Sequence, residues 1–170
     1  QGKALYVGIS KYPPAQAKIA YEMLRAAGVP CLISQYRYSM FDRTVEEKSL
    51  PLAAEQGSGF IAFSPLAQGL LTKKYLHGIP EHSRAARSTG FLKVDQVTED
   101  KVGKARRLDE IAARRGQTLA EMALAWVLKD ERMTSVIVGT SSVKQLADNL
   151  HALDNLNFTN EELAEIEGIL

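Results

Sequence analysis

One cysteine in 170 residues, Cys31, leaves no possibility of an internal disulfide. Within its apolar run it reads as a small buried hydrophobe of a reducing compartment. No stretch approaches the ~20 apolar residues of a membrane span and no signal-peptide pattern is present, so the expected compartment is the cytoplasm. Charge of one sign is also lacking: 21 basic residues against 20 acidic leave a net charge of +1. That balance argues against nucleic acid or a membrane surface as partner. The three histidines, His77, His82 and His151, do not fall at metal-ligand spacing, and no metal is expected. No G-x-G-x-x-G follows any strand and no P-loop is present, which disfavours a Rossmann dinucleotide fold. Nor is there a suggestive Ser-His-Asp order, or a carboxylate pair on strand tips of the kind glycoside chemistry needs.

What is present is an ordinary globular composition, 45% hydrophobic and 24% charged, in a chain of single-domain length able to bury roughly 70% of its unfolded surface. Strand and helix alternate. Leu5 to Ile9 reads as a strand ending at Ser10, and Pro13-Pro14 opens a helix whose apolar face is Ile19, Met23, Leu24 and Ala27. Cys31 to Tyr36 is the second strand. Thr44 with Glu47 has capping-box spacing and predicts a helix to about Glu55, kinked at Pro51. Phe60 to Phe63 is the third strand and Thr134 to Val138 the fourth, followed by a helix carrying Val143, Leu146, Leu150 and Leu153. Between them lie helices over about 101–115, with Val102, Ala105, Leu108 and Ile111 inward, and after a Thr118/Glu121 cap, burying Leu119, Met122, Ala123 and Trp126. A last helix, capped by Thr159 with Glu162, carries Leu163, Ile166 and Leu170.

The strands are near-continuous apolar runs, which predicts a parallel sheet covered on both faces. Handed βα crossovers limit the choice to an open doubly wound sheet or part of a barrel. Four parallel strands leave two naked edges. The expectation is therefore half of a larger α/β object, completed by a missing N-terminal half or by a second copy. The segment 76–100 has no apolar period, and its length predicts a functional, lid-like loop within the single 1–170 domain.

In βα proteins, chemistry sits at the C-terminal tips of the strands. The tips here are Ser10, Ser34-Gln35, Phe63-Ser64-Pro65-Leu66 and Gly139-Thr140-Ser141. Three offer short polar groups and one an aromatic face. The last tip enters a helix, and two readings stand. Either its free N–H groups, with Lys144, form an anion site, or Ser142 simply caps the helix with Gln145 answering at the third position.

The run Phe63-Ser64-Pro65-Leu66-Ala67-Gln68-Gly69-Leu70-Leu71-Thr72-Lys73-Lys74-Tyr75 resembles the aldo-keto reductases and their relatives, the β subunits of voltage-gated potassium channels. So do Gly8-Ile9-Ser10, Gln35, and Val138-Gly139-Thr140-Ser141 through Gln145-Leu146 to Asp148-Asn149. Across 70–84 the likeness is to the bacterial branch akin to L-glyceraldehyde 3-phosphate reductase. The resemblance implies the α/β fold of the C-terminal half (strands 5–8) of a (β/α)8 TIM barrel, NADPH as cofactor, and a small carbonyl substrate reduced by hydride transfer. By resemblance, Ser10 and Gln35 hold the nicotinamide carboxamide, and Phe63 stacks on its ring where the family usually has Tyr or Trp. Ser64, Pro65, Leu66 and Gln68 line the pyrophosphate with Lys74 nearby, and Arg84 reaches from the lid loop. Gly139, Ser141 and Gln145 meet the phosphorylated ribose, and Asp148 and Asn149 the adenine. A neutral Gln145 where some members carry Arg weakens strict NADP preference.

The family's Asp, Tyr, Lys and His tetrad lies on the first four strands, and no catalytic residue is assigned among the six tyrosines or elsewhere. The isolated chain is expected to be inactive. The alternatives are a non-catalytic nucleotide-binding regulatory or scaffold subunit, and a self-associating half-barrel. Homo-oligomers are expected, as in the channel-associated branch.

Overall fold

A computed structural model describes residues 2–81, 83, 85–86 and 91–170. Four parallel strands, β1 (Val7–Ser10), β2 (Cys31–Arg37), β3 (Gly59–Phe63) and β4 (Met133–Ile137), pair in chain order. Six α-helices accompany them: α1 (Pro14–Ala26), α2 (Ser49–Glu55), α3 (Glu99–Arg114), α4 (Leu119–Leu128), α5 (Val143–Leu150) and α6 (Asn160–Glu167). Sequential parallel pairing sends every chain reversal to the same edge of the sheet, so all four strand tips lie together. The register sets Arg37 level with Phe63 and Phe63 level with Ile137. β1 lies close against β2 because Gly8 has no side chain: a Cβ there would stand 2.7 Å from the Ile33 carbonyl oxygen. β1 starts at Val7 rather than Leu5. With Val7 opposite Cys31, Tyr6 would face Pro30, which has no N–H to give.

The main core lies on the helix-facing side of β2 to β4. Tyr36 and Phe60 stack with ring centroids 5.1 Å apart, against Leu50 and Ala53 of α2, Leu108 and Ile111 of α3, and Met122 and Trp126 of α4, all buried. A smaller cluster of Ile9, Ala17, Tyr21 and Cys31 lies under α1. The expected caps of α4 and α6 are formed: Thr118 and Thr159 accept from the N–H groups of Glu121 and Glu162, whose carboxylates accept in return. α3, α4 and α6 bury the residues their periodicity indicates, with Val102, Leu163 and Leu170 half-buried.

Four expectations are corrected. Among the described residues, the sheet is covered on one face only. Phe60 and Ala62 are buried, but Ile61 and Phe63 are half-open on the other face, as are Leu32 and Ile137 on the neighbouring strands. α1 turns Ala17 and Tyr21 inward, leaving Ile19 and Met23 56% and 68% exposed and Ala27 exposed. Small Ala17 admits the helix close to the sheet, and the Tyr21 hydroxyl meets Ser34 Oγ at 2.5 Å; these contacts outweigh the larger apolar face. α5 likewise exposes Val143, Leu146 and Leu150, and the turn after it exposes Leu153, because β4 is the sheet edge and nothing among the described residues covers that flank. Finally, Thr44 caps no helix. Its hydroxyl donates to Asp42 Oδ1 at 2.9 Å, residues 44–48 form turns, and α2 starts at Ser49. Pro51 then sits in the first turn, where its missing N–H has no helical acceptor to lose, so it causes no kink.

The 76–100 segment packs in part against the body. Ser83, Ala85 and Leu92 are buried, the Ala85 N–H donates to the Tyr75 hydroxyl, and α3 begins at Glu99. An ion network joins the β2 exit to α6 and α4. Arg43 Nε donates to both Glu46 oxygens, and its Nη1 reaches Glu167 at 2.6 Å. Tyr38 donates to Glu46 at 2.7 Å, and Lys129 lies 3.8 Å from the Trp126 ring centroid.

Burial opposes ionisation of Glu46, but the Arg43 and Tyr38 hydrogen bonds outweigh it and hold the carboxyl below its ordinary 4.5. Its contribution to stability is therefore complete above pH 4.5 and is lost as the pH falls through the lower folded value. Melting temperature from pH 6 to pH 3 is expected to fall more steeply in the wild type than in Glu46→Gln; parallel curves would remove Glu46 from this role.

Candidate functional site

Phe63 ends β3, and directly after it the backbone turns left-handed. Ser64, Ala67 and Gln68 have φ of 54°, 48° and 62°, conformations that cost a non-glycine residue about 1–3 kcal/mol each. With Lys11 at 60°, they are the only non-glycine residues of positive φ among those described, and all four follow β1 or β3. The β3 loop is pinned from within: Gln68 Nε2 donates to Ser64 Oγ at 2.9 Å, and Thr72 Oγ1 donates to the Gly69 carbonyl at 2.7 Å while accepting from Lys74 N.

Opposite stands the exit of β4. Ser142 accepts from Gln145 N at 3.1 Å, and Gln145 Oε1 accepts from the N–H and hydroxyl of Ser141 at 2.8 and 3.1 Å. The cap reading is thus realised, with the glutamine reaching one residue further back than a standard box. Lys144 is paired along the helix with Asp148 at 2.8 Å, an exposed pair of little energetic weight.

Between the two loops lies a cleft of about 660 Å³. It is walled by Phe63, Ser64, Pro65, Leu66, Gln68 and Lys74 on one side, and by Gly139, Ser141 and Gln145 on the other. Nine of the fourteen residues expected at the site therefore share one cavity. Ser10 and Gln35 lie outside it but level with one another on β1 and β2, where Lys11 N donates to the Gln35 carbonyl at 3.0 Å. Asp148 and Asn149 sit farther along α5. Asn149 is buried, and its Nδ2 has no hydrogen-bond partner among the described residues. Arg84 lies outside the described residues.

Thr140, named at the fourth strand tip, also lines the cleft, as do Gly69, Thr72, Ile137 and Val138, to which sequence reasoning gave no site role. Thr72 carried a usable signal as the cap of the short 3-10 turn Lys73–Tyr75, accepting from Lys74 N; Ile137 and Val138 look like any strand residue. The described wall contains hydroxyls, amides, one aromatic ring and one ammonium, but no carboxylate or imidazole. Such a surface binds a polar, anionic, partly planar molecule and supplies no general acid near neutrality. Beneath the sheet, burial pushes the Tyr21 hydroxyl up, and that of Tyr36 up to about 12.

A second cavity of about 560 Å³ opens on the other side of the same tip, sharing Phe63, Ser64 and Gln68. Its rim carries Lys11, Arg37, Asp42 and Lys101, drawn from three separate parts of the chain.

Residues 1–170 match the model of the Aldo/keto reductase family. Two relatives named L-glyceraldehyde 3-phosphate reductase, from Escherichia coli O157:H7 and E. coli strain K12, are 48% and 46% identical over 170 residues. The alignments cover 98% of this chain and 49% of each relative. The chain thus spans about half the length of the curated relatives it matches, as a four-stranded part of a (β/α)8 barrel does.

Removing the Ser142 hydroxyl tests the β4 exit. Ser142→Ala is expected to weaken α5 by about 1 kcal/mol, read as roughly fivefold faster amide exchange at Gln145. Unchanged exchange would mean that the Gln145–Ser141 contact alone holds the turn.

Proposed function

The chain belongs to the aldo/keto reductase family, an oxidoreductase family, and from that premise we propose that it forms the cofactor-binding part of an NADPH-dependent reductase of aldehydes or ketones. The observation that carries this reading is the cleft in which the Phe63–Gln68 loop faces Gly139, Ser141 and Gln145. The donor set suits a dinucleotide: backbone and side-chain N–H and O–H groups for phosphates, Phe63 for a planar ring, and no carboxylate in the described wall to repel an anion. The buried amide nitrogen of Asn149, without a partner among the described residues, suits a base with acceptor nitrogens.

Bound there, a nicotinamide cofactor supplies hydride to a carbonyl carbon. Ser10 and Gln35 would hold its carboxamide, Phe63 its ring face, Ser64, Leu66, Gln68 and Lys74 its pyrophosphate, and Ser141 and Gln145 its ribose phosphate. These residues bind and orient. Protonation of the developing alkoxide falls to groups outside this chain, so the 170-residue chain alone should turn over no substrate. The exposed flanks of β1 and β4, with Ile19, Met23, Val143 and Leu146, are read as the seams where the remaining strands of a barrel dock. The cytoplasm is the proposed compartment; among the described residues, no helix is long and apolar enough to cross a membrane.

Fluorescence titration of the full-length protein with NADPH is the first test. Phe63→Ala should weaken binding about tenfold, the scale of a lost aromatic contact; unchanged affinity would remove Phe63 from the site. NADH binding as tightly as NADPH would remove Ser141 and Gln145 from the phosphate role. Aldehyde reduction by the purified 170-residue chain, abolished by Phe63→Ala, would overturn the assignment of protonation to groups elsewhere.

A further inference from the structure

We propose that Arg43 is a positioning residue for the substrate side of the site: anchored to Glu167 of α6, it holds the turn that walls the second cavity. The inference rests on the reductase reading. With a nicotinamide ring on Phe63, the cavity that shares Phe63, Ser64 and Gln68 with the cofactor cleft is the space beside that ring for a carbonyl compound. Its volume of about 560 Å³ suits a small molecule.

The wall toward the β2 exit is built from chain with little regular structure of its own. Asp42, Thr44 and Val45 line the cavity. At the root of the turn, the Tyr38 N–H donates to the Phe63 carbonyl at 3.4 Å. Residues 39–42 then reverse tightly, closed by Ser39 N–H to the Asp42 carbonyl at 3.1 Å and by Asp42 N–H to the Ser39 carbonyl at 3.0 Å. Residues 43–47 belong to no helix or strand. Their backbone is tied by Glu46 N–H to the Arg43 carbonyl at 3.1 Å and by Leu50 N–H to the Val45 carbonyl at 2.9 Å. Side chains do much to set where this stretch lies.

Arg43 does so from behind. Its chain neighbours Asp42 and Thr44 line the cavity, whereas Arg43 is absent from the described lining and its side chain meets other partners. Its Nε donates to the two Glu46 oxygens at 3.0 and 2.9 Å, and its Nη2 lies 2.8 Å from Glu46 Oε2. The remaining Nη1 reaches Glu167 at 2.6 Å. All three nitrogens therefore meet a carboxylate, and the guanidinium lies 5.2 Å from the ring centroid of the buried Trp126. Isolated surface ion pairs contribute little, but a forked guanidinium shared by two carboxylates is the geometry in which they do contribute. A lysine ammonium cannot reproduce the fork.

The far anchor is itself held. Glu167 ends α6, whose Ile166 is fully buried and whose Glu162 and Glu165 pair with Arg115 and Arg114 at the end of α3. The helix thus joins the end of α3 to the turn after β2. On the cavity side, Asp42 Oδ2 lies 3.2 Å from Arg37 Nε while Oδ1 accepts from Thr44. The turn is clamped by Arg37 in front and Arg43 behind. Releasing Arg43 frees Asp42 and Thr44 to shift, and Arg37 with them.

A mere fold staple and a positioning residue differ in what they move, and the full-length protein with NADPH and 4-nitrobenzaldehyde as substrate probe separates them. Arg43→Gln is expected to raise KM about tenfold while kcat stays within about twofold. NADPH affinity should not change, because the turn does not line the cofactor cleft. Glu167→Gln alters a half-exposed side chain at a helix end, where folding is not at stake. It should raise KM about threefold, the scale of one ion pair. A lower melting temperature with unchanged KM in both variants makes Arg43 a staple only and overturns the proposal. So does an equal loss of NADPH affinity. If the wild type reduces no aldehyde, the reductase reading fails on its own, and amide exchange decides the positioning separately. Exchange at Ser39 and Asp42 about tenfold faster in Arg43→Gln, and faster also in Glu167→Gln, supports it; unaltered exchange ends it.

Discussion

Everything at the working end of this molecule depends on the register of β3 between its two parallel neighbours. Because Arg37, Phe63 and Ile137 lie level, the loops that follow leave the sheet side by side. Phe63 becomes the divide between a cleft toward β4 and a cavity toward β2. A one-residue slip of β3 would exchange its buried and open faces, sending Phe63 into the helix layer and Ala62 to the opposite face. The stacked Tyr36–Phe60 pair, the hydroxyl contact between Ser34 and Ser58 at 3.0 Å just before β3, and the bond from Phe60 N–H to Thr134 Oγ1 at 3.1 Å all oppose that slip.

The helix layer fixes the register by shape. Trp126, Leu108 and Met122 are fully buried against β3 and its neighbours, and truncating any of them would cost several kcal/mol. Arg115 does comparable work at the far end: its side chain is 2% exposed, bonded to the Asn157 carbonyl, and set over the Phe158 ring at 3.7 Å. The polar groups of the site can therefore stay at loop positions with few tertiary duties of their own.

Much of this was legible in the sequence because its causes are local. Caps at Thr118, Thr159 and Ser142, the proline entry to α1 and the apolar strand runs are short-range signals, and they placed all four strands to within two residues at each end. The cleft was legible for a second reason: strand tips carry function in any βα arrangement, so polar residues there could be picked out without contacts. What failed was non-local. The inward faces of α1 and α5 depend on what lies opposite them, and periodicity reports the most apolar face rather than the one a neighbour covers. Thr44 and Glu47 had the spacing of a cap, but Asp42 captured the hydroxyl. The basic cavity was invisible because Lys11, Arg37 and Lys101 are spread over ninety residues of chain and meet only through the fold.

The left-handed run after β3 carries a consequence for protein engineering. A library selected for thermal resistance would be drawn to glycine at 64, 67 and 68, where relief of backbone strain is immediate. Each such gain would remove a wall side chain or loosen the turn that presents it. Heat tolerance and ligand discrimination are therefore set against each other within five residues of loop, while the capped helices elsewhere can be optimised without that conflict.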